Sequence, residues 1–416
     1  MRGIWVVAVL ALLAGCDDDG SASADPGQQG QADVGAADSA APDAAAPDAA
    51  APDAAPVDAA APDEGPDAAA ADAGGPPPPV VGSCGAGQVT GWLYEDADGA
   101  DETRYAAARE DDDPPVKQAF QVLTPEGPRA VQPCDDGSYA VDGLPDGPAL
   151  VVPPADAGRC SRRNCPAGFA AAVAAGSAVV VTMGDSIPVV GDRPLFPSRL
   201  VTLFDGLAEI DSRNVAVAGS TSPEWLPGQP NFERRLLPEV ADADLVIISI
   251  GGNDILAYMS NPALLANVPM AIAGAKDLVV EIVGRVRLIM QAIREVNPDV
   301  DILYCLYPDY TQATTHQLWG LAGRLIGAGT MREVLETALA AIPDDEDLLV
   351  ADMLNAFAGL DVGLYLYDAL HFNDLGQTRY AEEIFMALGG VLLGPSPLGG
   401  EPRSPLGAEQ TYGFVP

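Results

Sequence analysis

Histidine is scarce in this chain: two occur among 416 residues. The six cysteines do not fall at zinc-binding spacings, so a structural zinc site lacks its ligands. Basic residues are also few, 21 Lys and Arg against 60 Asp and Glu, giving a net charge of −39. A surface this acidic repels phosphate backbones and anionic headgroups, which argues against nucleic acid or an anionic membrane surface as the main partner. The apolar run at the N-terminus, Ile4 to Leu13, is short for a bilayer-spanning helix. Residues 17–80 have almost no aromatic or large aliphatic side chains and no Lys or Arg. No core can form there to offset the entropy of ordering.

What these segments do contain is informative. Arg2, the apolar run and Leu13-Ala14-Gly15-Cys16 follow the layout of a secretory signal. The cysteine directly after Leu-Ala-Gly resembles the lipobox of bacterial lipoproteins. That resemblance implies cleavage before Cys16, which leaves 1–15 as the signal peptide, and acylation of the new terminus. Several acyl chains anchor a protein firmly. The expected location is the bacterial cell envelope, on a membrane and facing away from the cytoplasm, with inner or outer membrane left open. Segment 16–81 then reads as a tether in which Ala-Ala-Pro-Asp-Ala recurs around Pro42, Pro47, Pro52, Pro62 and Pro66. Its fourteen acidic residues and its prolines both extend it. The rest of the chain carries −26, an acidity that generic solubility or adaptation to salt accounts for.

If Cys16 is acylated, five cysteines remain for an oxidising compartment. Their positions suggest pairing Cys84 with Cys134 and Cys160 with Cys165, and leave Cys305 inside an apolar run as a buried thiol. Between 82 and 157, short strands at Gln88–Tyr94, Ala119–Leu123 and Ala149–Val152 flank the turn-rich Asp135-Asp136-Gly137-Ser138-Tyr139. This spacing predicts a small antiparallel β-sandwich. The stretch from Asp135 to Pro148 resembles the prealbumin-like repeats of the Cna-B and carboxypeptidase-regulatory type, which implies a spacer or stalk. Asp96, Asp98 and Asp101 surround a glycine turn in a way that can wrap calcium. Ala107 stands where a helix-loop-helix calcium site needs a glutamate, so a solvated acidic turn is the preferred reading.

From 175 to 393 apolar strands alternate with helical segments, and 394–416 reads as a tail. Strands are expected at Ala178–Met183, Val215–Ala218, Asp244–Ile250, Asp301–Tyr307 and Leu348–Met353. Helices are expected at Pro194–Gly206, Phe232–Val240, Lys276–Val296, Met331–Ile342 and Leu375–Leu388. This alternation predicts an α/β fold: a three-layer, doubly wound, five-stranded parallel sheet. Ligands of such sheets sit beyond the carboxyl ends of the strands. Those ends carry Gly184-Asp185-Ser186, then Asn214 and Gly219, then Gly251-Gly252-Asn253-Asp254, and finally Asp368-Ala369-Leu370-His371.

Four blocks in this order resemble the SGNH hydrolases, also called GDSL esterases and lipases, whose sheet is flavodoxin-like. Phe372 departs from the proline that often follows the histidine in that family, a change in loop shape. A serine nucleophile needs a base within hydrogen-bond reach, and His371 is the natural one, with Asp368 to orient it. The resemblance assigns the oxyanion hole to the Ser186 and Gly219 backbone N–H groups and the Asn253 amide. Asp185 reads as a turn or positioning residue and Asp254 as a brace for the Asn253 loop. His316 is the other histidine, in a loop. The absence of a G-x-S-x-G elbow argues against the α/β-hydrolase fold.

The expected function is ester hydrolysis through an acyl-enzyme at Ser186, with no metal or organic cofactor required. Small-molecule, lipid and acylated-glycan esters all fit. Acyl transfer to another acceptor would use the same residues, and an inert binding or scaffold lipoprotein is the rival outside enzymology. Ala257–Gly274, with Leu264, Leu265, Val268, Met270 and Ile272, is either an apolar lid or plain core.

Overall fold

A computed structural model describes residues 80–81, 89–95, 118–154, 167–261, 267–342, 348–399 and 409–414. The signal segment with Cys16, the tether, Cys84, Cys160, Cys165 and the Asp96–Asp101 turn lie outside the described residues. Among the described residues no helix is long and apolar enough to cross a membrane.

The first part of the chain is β-rich: β1 (Val80–Val81), β2 (Val89–Glu95), β3 (Phe120–Thr124), β4 (Gly127–Gln132), β5 (Ser138–Val141) and β6 (Gly147–Val152). Phe120, Val122, Tyr139 and Val151 make its core. The Phe120 and Tyr139 rings meet edge to face at 4.7 Å, the arrangement their quadrupoles favour. Cys134 is disulfide-bonded, and its partner lies outside the described residues.

After α1 (Ala167–Ala175) comes β7 (Ser177–Gly184), followed by α2 (Phe196–Leu203) and β8 (Glu209–Asn214). A π-helical turn, Phe232–Leu236, runs into α3 (Leu237–Val240) and then β9 (Leu245–Ser249). Next are α4 (Gly252–Met259), the long α5 (Val268–Val296), β10 (Asp301–Cys305), α6 (Gln317–Ile326), α7 (Thr330–Ala341), β11 (Leu349–Ala351), α8 (Met353–Ala356) and α9 (Asp374–Ala387). Strands β8-β7-β9-β10-β11 form one parallel sheet in that order. Every residue of β9 is buried, because helices cover both faces of such a sheet. The long helix α5 buries Val279, Ile282, Val286, Ile289 and Ile293 along one stripe.

The second strand lies earlier than its apolar signal: Glu209–Asn214 pairs with β7, while 215–218 is coil. It is an edge strand whose residues are exposed or half-buried, so apolar alternation was never required of it. The chain end also departs from the expected outline. Strand β12 (Gly390–Leu393) pairs antiparallel with β6, and β13 (Glu409–Phe414) pairs parallel with β2. The residues after α9 therefore complete both sheets of the β-rich part, β1-β4-β3-β6-β12 and β13-β2-β5.

Candidate active site

The strand order places β7 beside β9, with β8 on its other side. The order in which strands are added switches from one side of β7 to the other at that junction, which is where open α/β sheets form their crevice. The Ser186 turn follows β7 and Asn253 follows β9, so both stand at the junction. Gly184 ends β7 at φ +144°, and a Cβ there would fall 1.9 Å from the Ser249 carbonyl oxygen. Only glycine lets the two strands approach this closely just before the turn. The Asp185 N–H then donates to the same carbonyl at 2.9 Å.

Ser186 is partly exposed while Asp185 and Ile187 on either side are buried. Asp185 accepts the Ile187 N–H at 3.1 Å and a short hydrogen bond from the Tyr307 hydroxyl. Burial pushes its pKa up to about 6, against the pull of those two donors and of the His371 charge. Asp185 is thus a turn residue, as its position suggests.

Asp368 and His371 come together in the loop before α9. One Asp368 oxygen accepts the Leu370 and His371 backbone N–H groups, both at 2.8 Å. The other lies 2.7 Å from His371 Nδ1. Burial raises the Asp368 pKa, but the His371 ring and the two N–H donors outweigh it and hold the carboxyl below the ordinary range. An ionised partner at Nδ1 places the ring proton there and leaves Nε2 as the acceptor. Among the described residues Nε2 is buried and bonded to nothing, so it makes no hydrogen bond with the Ser186 hydroxyl in this structure. Catalytic hydrogen bonds are often open before substrate binds.

The loop after Ser186 is stitched to the chain after His371. Val190 N–H donates to the Ser186 carbonyl at 2.8 Å, Gln377 reaches the Val190 carbonyl at 3.4 Å, and Asp192 N–H donates to the Phe372 carbonyl at 3.2 Å. Buried Gln377 also accepts the Phe196 N–H at 2.8 Å. Arg199, 3% exposed, bonds Thr378 at 2.7 Å and Asp374 at 2.6 Å.

Gly219 adopts φ +79° in an exposed turn. Among the described residues, neither its N–H nor that of Ser186 has an intramolecular acceptor. The Asn253 side-chain amide donates one hydrogen to the Ser220 carbonyl at 3.0 Å, which leaves its second hydrogen uncommitted. Asp254 braces this region: it accepts from Ser222 N–H at 2.8 Å and Ser222 Oγ at 2.7 Å and pairs with Arg285 at 3.2 Å.

Residues 182–379 match the family model of the GDSL-like lipases and acylhydrolases. This segment belongs to that family. The GDSL-like domain is accordingly a carboxylic ester hydrolase domain. Among solved structures, the chain is similar to the lipase Lip_vut3 from a goat rumen metagenome, with 20% identity over 52% of this chain and 99% of that one and a TM-score of 0.40. It is also similar to an extracellular lipase from Streptomyces rimosus, at 18% identity over 50% and 99% of the two chains and a TM-score of 0.37. A two-domain esterase active on acetylated mannans is similar at 15% identity, over 56% of this chain and 55% of that one, with a TM-score of 0.33. No curated protein matches the chain.

Several residues that hold the GDSL-like domain's site together carry no signal in the sequence. Ser220, 3% exposed, donates to the Gly184 carbonyl at 3.0 Å and accepts from the Trp225 indole at 2.8 Å. The stacked Tyr310 and Trp319 rings lie 5.3 Å apart, and their polar tips hold the Leu370 and Ala369 carbonyls. A buried aromatic tip needs a partner, yet the sequence does not say which. His316 precedes α6, and its Nδ1 is buried without a bond among the described residues. In the expected lid segment, Leu264 and Leu265 lie outside the described residues, while Met270 on the first turn of α5 is 60% exposed. Cys305 is a free buried thiol, and burial pushes its pKa up.

Proposed function

We propose that Ser186 is the nucleophile of a carboxylic ester hydrolase that works through an acyl-enzyme. The observation that carries this reading is the Asp368–His371 pair at 2.7 Å, oriented so that Nε2 is the free acceptor, on a loop bonded to the Ser186 turn. Ser186 Oγ attacks the ester carbonyl carbon while its proton passes to His371 Nε2. The tetrahedral oxyanion is met by the Ser186 and Gly219 N–H groups and the second Asn253 amide hydrogen. Collapse breaks the carbon–oxygen bond, and the alkoxide leaves with the proton from Nε2. Water then attacks the acyl-enzyme by the same route in reverse and frees the acid. Asp368 stabilises the imidazolium in both halves.

A fluorophosphonate probe tests the assignment: wild type should be labelled and Ser186→Ala should not. Labelling that persists in Ser186→Ala, or is absent in wild type, overturns it. A chain-length series of p-nitrophenyl esters, with acetylated xylan and phospholipid in parallel, separates small-molecule, glycan and lipid esters as substrate. The lipobox-like Leu13-Ala14-Gly15-Cys16 supports a lipid anchor holding the enzyme outside the cytoplasm. Loss of detergent-phase partitioning in Cys16→Ser is the expected result, and unchanged partitioning refutes the anchor.

A further inference from the structure

Side chains converge at the carboxyl ends of the strands in a parallel sheet. Four of the five strand ends here lead to a group with a proposed role: β7 to Ser186, β8 to Gly219, β9 to Asn253, and β11, by way of α8, to Asp368 and His371. The end of β10, in the middle of the sheet's second half, leads to none. Two residues past it stands Tyr307, 6% exposed.

Tyr307 touches the machinery on two sides. Its hydroxyl donates the short hydrogen bond to Asp185, whose other oxygen accepts the Ile187 N–H at 3.1 Å. The two bonds bracket Ser186, since Asp185 precedes it and Ile187 follows. The Tyr307 ring also lies against Gly252, where a Cβ would come within 3.0 Å of two ring carbons. Gly252 is the first residue of α4, directly before Asn253. One rigid ring therefore separates the nucleophile's turn from the helix that carries the amide.

We propose that Tyr307 is a positioning residue for ester hydrolysis: through Asp185 it holds the Ser186 turn, and through Gly252 it sets that turn's distance from Asn253. The proposal rests on the serine-hydrolase reading above. Its physical basis is preorganisation, because a nucleophile and its oxyanion donors must stay in register within a fraction of an ångström. Hydroxyl and ring have separate duties, so they can be tested apart.

The test compares wild type, Tyr307→Phe, Asp185→Asn and the double variant in the full chain. Tyr307→Phe keeps the ring and removes the tether. Misplacement of this kind costs on the order of tenfold to a hundredfold in turnover, so kcat should fall by about that factor with KM little changed. If the pair acts as a unit, the double variant is no slower than the slower single one. Turnover per site titrated with the fluorophosphonate separates positioning from simple weakening of the fold, which lowers the number of sites and leaves kcat per site intact. A loss carried by fewer titrated sites, or kcat per site within twofold of wild type in Tyr307→Phe, overturns the proposal. Fluorophosphonate labelling of wild type, run alongside, shows separately whether the serine-hydrolase reading stands.

Discussion

Ser220→Ala is the most informative single change outside the Asp368–His371 pair. The Ser220 hydroxyl bonds to the Gly184 carbonyl at 3.0 Å and receives the Trp225 indole N–H at 2.8 Å. Trp225 is fully buried, so the substitution leaves its N–H without an acceptor. A buried donor stripped of its partner costs about 1–3 kcal/mol. The Gly184 carbonyl keeps a second donor, Val217 N–H at 2.9 Å, so losing the Ser220 bond adds only about 1 kcal/mol. The expected destabilisation is about 2–4 kcal/mol. The effect on turnover follows a different route. The Ser220 carbonyl orients Asn253, and Gly219 directly precedes Ser220, so a shifted loop displaces both of the proposed oxyanion donors at once. Complete loss of one such donor costs on the order of 10²–10³ in kcat, and partial displacement should cost about 10–100-fold. Urea unfolding read by tryptophan fluorescence gives the first quantity. Initial rates on p-nitrophenyl acetate, taken where the variant is fully folded, give the second. A variant destabilised as expected but turning over within twofold of wild type would mean that Ser220 supports the fold and does not set the oxyanion loop.

Two further substitutions test the electrostatics. Asp368→Asn removes the charge that stabilises the imidazolium and presents an amide hydrogen to Nδ1, so kcat should drop on the order of 10³–10⁴-fold; a loss under tenfold refutes the acid's role. Asp185→Asn should also change how stability depends on pH. The folded pKa of Asp185 is raised to about 6 from 3.8 by burial. Its contribution is therefore present in full below the unfolded value and is lost as pH rises through about 6, because ionising it then costs folded stability. The substitution should raise the urea midpoint at pH 8 by an amount equivalent to as much as about 3 kcal/mol and leave it nearly unchanged at pH 4. Asp368, whose pKa is lowered, has the opposite sign: its contribution is present above its unfolded value and fades as pH falls through the lowered one. Equal shifts of the midpoint at both pH values in Asp185→Asn would refute the burial account.

The parts of the fold legible in the sequence are those where burial leaves a one-dimensional trace. Strands β7, β9 and β10 are apolar runs because the sheet covers them on both faces. Helix α5 repeats its apolar residues at helical spacing because one stripe faces the core. Asp368 and His371 were legible as a pair because a three-residue loop brings them together without help from elsewhere. Strand β8 fails this condition. Its residues are exposed or half-buried on the end strand of the sheet, where Arg213 pairs with Asp211 and Asp242, and the apolar signal at 215–218 comes from a connecting stretch. Helix α1 carries no directional stripe, since alanines surround Phe169 and Val173.

A second class of feature depends on pairings between distant segments, and no local pattern encodes those. Strand β12 reads as the end of the hydrolase domain because it follows α9 directly, yet its hydrogen bonds go to Pro148, Ala149 and Leu150, more than two hundred residues earlier. The partners of Ser220, Tyr307 and Gln377 lie 36, 122 and 181 residues away: Gly184, Asp185 and Phe196 all belong to the segment around Ser186. Each supplies a polar group that a buried loop near Ser186 needs and cannot find within itself. The residues with a proposed chemical role stand out in the sequence because the proposed reaction demands particular side chains. The residues that hold them answer only to geometry, where Ser, Tyr and Gln do the work that another fold could give to other donors. The site therefore divides physically into groups chosen for reactivity and groups chosen for reach, and only the first kind leaves a recognisable motif.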